Sequence, residues 1–278
     1  MLTLLSTSDI YHLLHDFMTT NNNDKLQVEL DNFIAKAIQN DDYTFATGLL
    51  GAGWLFAYRH QHRMFAGDID EFLYDFDDNF YTLAIQKIVK TDSCIDDLLP
   101  LIDYYQQRLQ NSSISYNFYR RFTLFEMMKL LVDKLISICL SGRSTCGEQI
   151  RILLKLSYLN LTCLSEKEIE MCYYTKTEEL ISYYQNLHDL SLEDRENLKW
   201  LLLTSAQYAN PYWVDQIKTM LIQKDADFCN SKSILDDISI FLEENKEDYF
   251  NLKNYNFKED RRLFYTLVSN IKVAVYVK

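Results

Sequence analysis

Six cysteines, five histidines and two knots of carboxylates are the side chains of this 278-residue chain with the most chemistry to offer. Cys139, Cys146, Cys163 and Cys172, with His188, make the one imaginable zinc set, and Cys94 and Cys229 stand apart from it. Structural zinc takes two ligands from one short knuckle, and no Cys-x-x-Cys occurs. The cysteines are therefore read as free, buried thiols, which behave as small apolar groups. His60-Gln-His62, flanked by Arg59 and Arg63, is the densest basic spot. Residues two apart on a helix point to different faces, so it reads as a basic helix end complementing the dipole. Asp68, Asp70 and Glu71, then Asp75, Asp77 and Asp78, could form acid–base pairs or bind Ca²⁺. They lack the ligand order and central glycine of an EF-hand, and the expectation is a solvated helix face. No Ser/His/Asp order, Gly-x-Ser-x-Gly or Walker segment is present.

The elements that must position these groups are helices. Only 6 Gly and 2 Pro occur, too few for the many turns of a sandwich or barrel. Apolar residues at 48% and charged residues at 24% describe a folded globular chain. A net charge of −12, with no basic run longer than two, argues against a nucleic-acid partner. An acidic surface suits a basic peptide or a cation. Met1 to Leu5 is too short for an export h-region, and the apolar run from Ile150 to Leu161 is broken by Arg151, Lys155 and Asn160. No stretch reaches the roughly 20 apolar residues of a spanning helix. The expectation is a cytoplasmic protein with no membrane partner.

Apolar residues at three- and four-residue spacing mark helices throughout. One begins near Ser6 and Ser8 with Ile10, Leu13, Leu14 and Phe17; a second carries Leu26 to Ala37; a third runs from Thr44 to His60. Gly67-Asp68 opens a long one through Ile88, and Asp92 to Leu109 forms another around Pro100. Phe118 to Cys139 follows, ending near Gly142. Ser165 to Glu168 and Ser191 to Asp194 fit capping boxes, and Asn210-Pro211 separates two helices. Leu263 to Val277 reads equally as helix or strand. The total is about eleven or twelve helices on short connections. No linker divides them, so a single domain over 1–278 is expected, made of antiparallel hairpins in an open solenoid or an α/α toroid.

Thr47-Gly48-Leu-Leu-Gly51-Ala-Gly53-Trp54-Leu-Phe56 holds three of the six glycines. Glycine inside a helix costs about 1 kcal/mol against alanine, so Gly48, Gly51 and Gly53 imply close approach of another helix backbone. A helix start near Gly48 could instead offer amides to an anion. This stretch resembles the lanthionine synthetase C-like family, whose Gly-x-x-Gly-x-Gly segments open the inner helices of a double-layered α/α barrel. Met64-Phe-Ala-Gly-Asp68-Ile-Asp70-Glu71-Phe-Leu-Tyr-Asp75-Phe-Asp77 is similar to the acidic segment that follows in some members. The likeness covers residues 41 to about 81. Members hold zinc through Trp-Cys, Cys-His and His-Gly segments, and the metal activates a substrate thiol. Here Trp54, Trp200 and Trp213 are followed by Leu, Leu and Val; no cysteine precedes a histidine and no histidine precedes a glycine.

The resemblance thus implies a shortened, degenerate toroid without catalytic residues, metal or other cofactor: a pseudoenzyme that binds a peptide or protein in a peptide-modification pathway. The binding surface it suggests lies around Trp54, Tyr58, Asp68, Asp70, Glu71 and Asp75, facing a cationic partner. An active zinc-dependent thioether cyclase with other ligands, or an unrelated α-solenoid scaffold, are the alternatives.

Overall fold

The computed structural model describes residues 10, 13, 23–61, 67–111, 117–159 and 166–224. Among them stand ten helices and no strand, so the protein is all-α. The helix expected from Ser6, except for the buried Ile10 and Leu13, lies outside the described residues, as do Ser165 and the Leu263 to Val277 segment. The chain divides into two compact units, Met1–Lys134 and Leu135–Lys278, with the division falling inside one helix.

In the first unit, α1 (Asn23–Gln39), α3 (Ile69–Phe72), α4 (Tyr74–Val89) and α5 (Ile95–Leu109) all pack on α2 (Leu49–Gln61). Every residue of α2 from Leu49 to Arg59 is buried. A helix that is apolar all round has no solvent face to present, and α2 accordingly sits at the centre. Its entry is the segment 40–48. There Asp41 takes φ 51°, and the Asp42 carboxylate accepts from the Thr44 amide (2.8 Å) and the Thr47 hydroxyl (2.7 Å). Against the opposing effect of burial, these bonds hold Asp42 below the usual carboxylate range. The Leu49 amide donates to the Asp42 carbonyl at 2.8 Å. One of the amides that an anion would have needed at this helix start is thus taken by the chain itself.

Tight packing is indeed what the glycines serve, but the neighbours are not helix backbones. A Cβ on Gly51 would lie 1.9 Å from the Phe45 carbonyl oxygen, and one on Gly48 would lie 2.5 Å from Asp42 O. A Cβ on Gly53 would meet the rings of Tyr104, Phe76 and Phe80 at 2.9–3.1 Å. The entry loop folds back over its own helix, and aromatic rings fill the other side. The long helix expected from Gly67-Asp68 is also two helices. Asp68 caps α3 by accepting from the Asp70 amide at 2.9 Å, and the chain breaks at Leu73 (φ −94°, ψ 12°) before α4 begins.

α6 (Phe118–Leu140) ends at Gly142, whose φ of +70° is the left-handed stop that glycine supplies. In the second unit α7 (Cys146–Tyr158), α8 (Glu166–Asn186) and α10 (Pro211–Lys224) surround α9 (Leu192–Gln207). Trp200, Trp213, Tyr173, Tyr184 and a set of leucines make one core. Tyr173 and Tyr208 stack with centroids 4.1 Å apart, and the Trp213 indole N–H donates to Glu178. Ser191 and Asp194 form the expected capping box in full, and Thr145 with Glu148 forms another. Each such box stabilises its helix by about 1 kcal/mol. At the other end of α8, the Lys224 ammonium donates to the carbonyls of Tyr184, Gln185 and Leu187, satisfying acceptors that a helix end leaves open.

Candidate functional site

Asp77 occupies a stripe of buried positions on α3 and α4 with Ile69, Leu73, Phe80 and Ala84. A carboxylate taken out of water needs partners, and Asp77 has three. The Tyr104 hydroxyl donates to Oδ1 at 2.5 Å, Arg108 reaches both oxygens at 3.1 and 2.8 Å, and Arg120 Nη1 donates to Oδ2 at 3.0 Å. Arg108 Nη2 also holds Asp70 Oδ1 at 2.9 Å, and Arg120 Nη1 holds the Asp70 carbonyl at 2.8 Å. Seven residues of straight helix rise about 10 Å, a long span for two carboxylates meeting one nitrogen; the break at Leu73 shortens it. Burial and the Asp77 charge push the Tyr104 phenol well above its ordinary value. Although burial opposes it, the bond and charge of Asp77 raise Arg108. Two arginines neutralise two aspartates here. The cluster is a clamp joining α3, α4, α5 and the first turn of α6.

The clamp determines what lies outside it. Arg120 is drawn inward across the Tyr74 ring, 4.8 Å from its centroid, so its neighbours on α6 turn outward. Phe118 is 72% exposed, Tyr119 82% and Phe122 55%, and Phe118 stacks on Phe122 at 6.4 Å. Tyr74 and Phe72 are exposed on the adjoining elements. Glu71, Asp75 and Asp78 are exposed beside them and join no ion pair among the described residues. Exposed aromatics gathered in this way mark interaction surfaces.

The structure thus redistributes the expected site. Trp54 and Tyr58 are buried and stack on each other at 5.2 Å, because α2 has no outer face; neither offers area to a partner. Asp68 is spent on capping α3 and Asp70 on Arg108, while Glu71 and Asp75 remain outward. The solvated-face reading fails for Asp77, which is buried and bound to two arginines. Arg59 and His60 do stand in the last turn of α2, as the basic-end reading has it, and Arg59 is buried there and donates to Gln27 at 3.0 Å. Burial and the Arg108 charge hold His60 below its ordinary value, and its Nδ1 lies 3.2 Å from the Asn111 amide. His62 lies outside the described residues.

Of the imagined zinc set, Cys139 and Cys172 are buried free thiols. Cys146 sits instead beside Tyr184 and Asp194, and His188 is exposed. Cys94 is exposed; Cys163 and Cys229 lie outside the described residues. Among the described residues no three His, Cys, Asp or Glu side chains converge as a metal site would require, and no helix is long and apolar enough to cross a membrane. Neither a family model, a curated protein nor a solved structure matches this chain.

Proposed function

We propose that this protein is a non-catalytic binding protein that holds a cationic peptide segment on the acidic, aromatic face of α3, α4 and the start of α6. In this reading it is a degenerate relative of the lanthionine synthetase C-like proteins, its hairpins an incomplete α/α toroid, and its ligand a peptide undergoing modification. The observation that carries the proposal is the exposure of Phe118, Tyr119, Phe122 and Tyr74 around the clamped Arg120, beside the exposed carboxylates of Glu71, Asp75 and Asp78. Aromatic side chains supply contact area at low entropic cost, and rim carboxylates draw in a cationic chain over a screening length of about 8 Å at physiological salt. The pairing of both clamp aspartates with arginines speaks for binding over catalysis.

A fluorescein-labelled Lys–Leu repeat peptide, followed by anisotropy, tests the reading against a Glu–Leu repeat. Affinity for the cationic peptide should fall several-fold between low and physiological salt without vanishing. Glu71→Gln with Asp75→Asn and Asp78→Asn should weaken binding and flatten the salt dependence. Phe118→Ser with Tyr119→Ser should weaken it at every salt concentration. Unchanged affinity in both variants would place the site elsewhere, and equal affinity for both repeats, or for neither, would leave a plain helical scaffold.

A further inference from the structure

Four aromatic rings converge where α8 meets the turn between α9 and α10. Tyr173 and Tyr174 are consecutive on α8, so their side chains leave the helix about 100° apart. Tyr173 enters the core, while Tyr174 stays 49% exposed. Tyr208 stops α9, Ala209 takes φ 54°, and the Asn210 side chain accepts from the amides of Tyr212 and Trp213 at 3.1 and 3.4 Å. That short reversal sets Tyr208 beside Trp213, with centroids 6.1 Å apart. Tyr173, Tyr208 and Trp213 lie within 14–33° of parallel. Tyr174 stands across them, at 62° to Trp213 (4.9 Å) and 88° to Tyr208 (5.8 Å). Tyr173 and Trp213 are buried and Tyr208 is half-buried. The stack and its upright ring form a corner that reaches solvent at Tyr174 and Tyr208.

Carboxylates flank this corner. Glu170 and Glu178 lie one helical turn to either side of Tyr174, on the same face of α8, and both are exposed. Glu178 accepts from the Trp213 indole N–H, which brings its charge up to the rings. Burial and the Glu170 charge raise the Tyr208 phenol above its ordinary value. Aromatic faces carry the negative part of the ring quadrupole, so rings and carboxylates attract a cation together. A bare ammonium is compact and strongly hydrated, and it would lose that water here. A quaternary ammonium spreads its charge over methyl groups that pack on ring faces.

We propose that this corner binds a quaternary ammonium group carried by a small free molecule. Its methyl groups rest on Tyr174 and Tyr208, and Glu170 and Glu178 supply the countercharge. The accessible part is two rings and two carboxylates, the footprint of one head group and not of an extended chain. The site belongs to the second unit and does not depend on the peptide surface of the first.

The test uses the full chain with choline as the probe, followed by saturation-transfer NMR on its methyl protons and by titration of tryptophan fluorescence. Its neutral carbon isostere, 3,3-dimethylbutanol, should bind at least several-fold more weakly. Tyr174→Leu keeps apolar volume but removes the ring, and should weaken choline several-fold, whereas Tyr174→Phe should retain it. Glu170→Gln with Glu178→Gln keeps an acceptor for Trp213, and should weaken choline and flatten its salt dependence. Circular dichroism identifies a Tyr174→Leu protein that fails to fold, and the glutamine pair then decides. No saturation transfer from choline, equal binding of the isostere, or unchanged affinity in the glutamine pair would overturn the proposal. A trimethyllysine peptide bound far more tightly than choline would overturn it too, by assigning the corner to a protein partner.

Discussion

Replacing Asp77 by alanine removes the acceptor for the Tyr104 hydroxyl and for most of the hydrogen bonds of Arg108, which is fully buried. Arg108 keeps Asp70 at 2.9 Å, and Arg120 can turn to solvent. Breaking a buried pair by removing one partner costs about 3–5 kcal/mol, because a charge is left uncompensated. The loss should lie within that range, close to 4 kcal/mol, since Asp70 compensates in part. Converting the whole inward set, with Asp77→Leu, Arg108→Met and Tyr104→Phe together, removes the charge and the stranded hydroxyl at once. Stability should then return to within about 1.5 kcal/mol of the starting protein. The coupling between the substitutions would be at least about 2 kcal/mol, well above the scatter of independent sites. Urea unfolding measures the totals, and hydrogen exchange in α4 and α5 confirms that the change belongs to the unit holding the clamp. A single-variant cost under about 1 kcal/mol would refute the reasoning, because an exposed pair behaves that way. So would a triple variant as unstable as the sum of its parts.

Gly51→Ala should destabilise by about 1–3 kcal/mol in denaturant unfolding despite alanine's better helix propensity, because its Cβ would strike the Phe45 carbonyl. Tyr104 and Tyr105 both have phenols raised above 10.0 by burial, so the unfolded chain loses protons first as pH rises past that value. Stability of the first unit is then fully present below pH 10 and should fall by up to about 2.7 kcal/mol per pH unit above it, read from urea midpoints in alkaline buffers. His60 has the opposite sign: its folded value is depressed, so the unfolded chain binds the proton more readily. Stability should drop as pH falls below 6.5, and His60→Gln should flatten that slope.

Local signals carried most of the helices. Phe118 to Gly142, Ser191 with Asp194 and Asn210-Pro211 are all where spacing and capping chemistry put them. Thr145 and Glu148 have the same capping spacing and would have marked the start of α7. Asp77 was also open to inference: it falls in step with Leu73, Phe80 and Ala84 on a buried stripe, where a carboxylate needs a cation. Which cation was not legible. Arg108 and Arg120 lie 31 and 43 positions from Asp77, and no periodicity links them. The burial of Trp54 and Tyr58 follows from the unbroken apolar character of α2, whereas the outward turn of Phe118 and Tyr119 depends on Arg120 being drawn into the clamp. A stripe of phenylalanines in sequence does not show which members will be left outside.

Hydrogen exchange with and without the Lys–Leu repeat peptide tests the proposed binding face most directly. The account predicts slowed exchange in peptides covering residues 69–78 and 118–122, with α2, already buried, unchanged. Protection confined to other surfaces, or none at peptide concentrations that saturate the anisotropy signal, would contradict it.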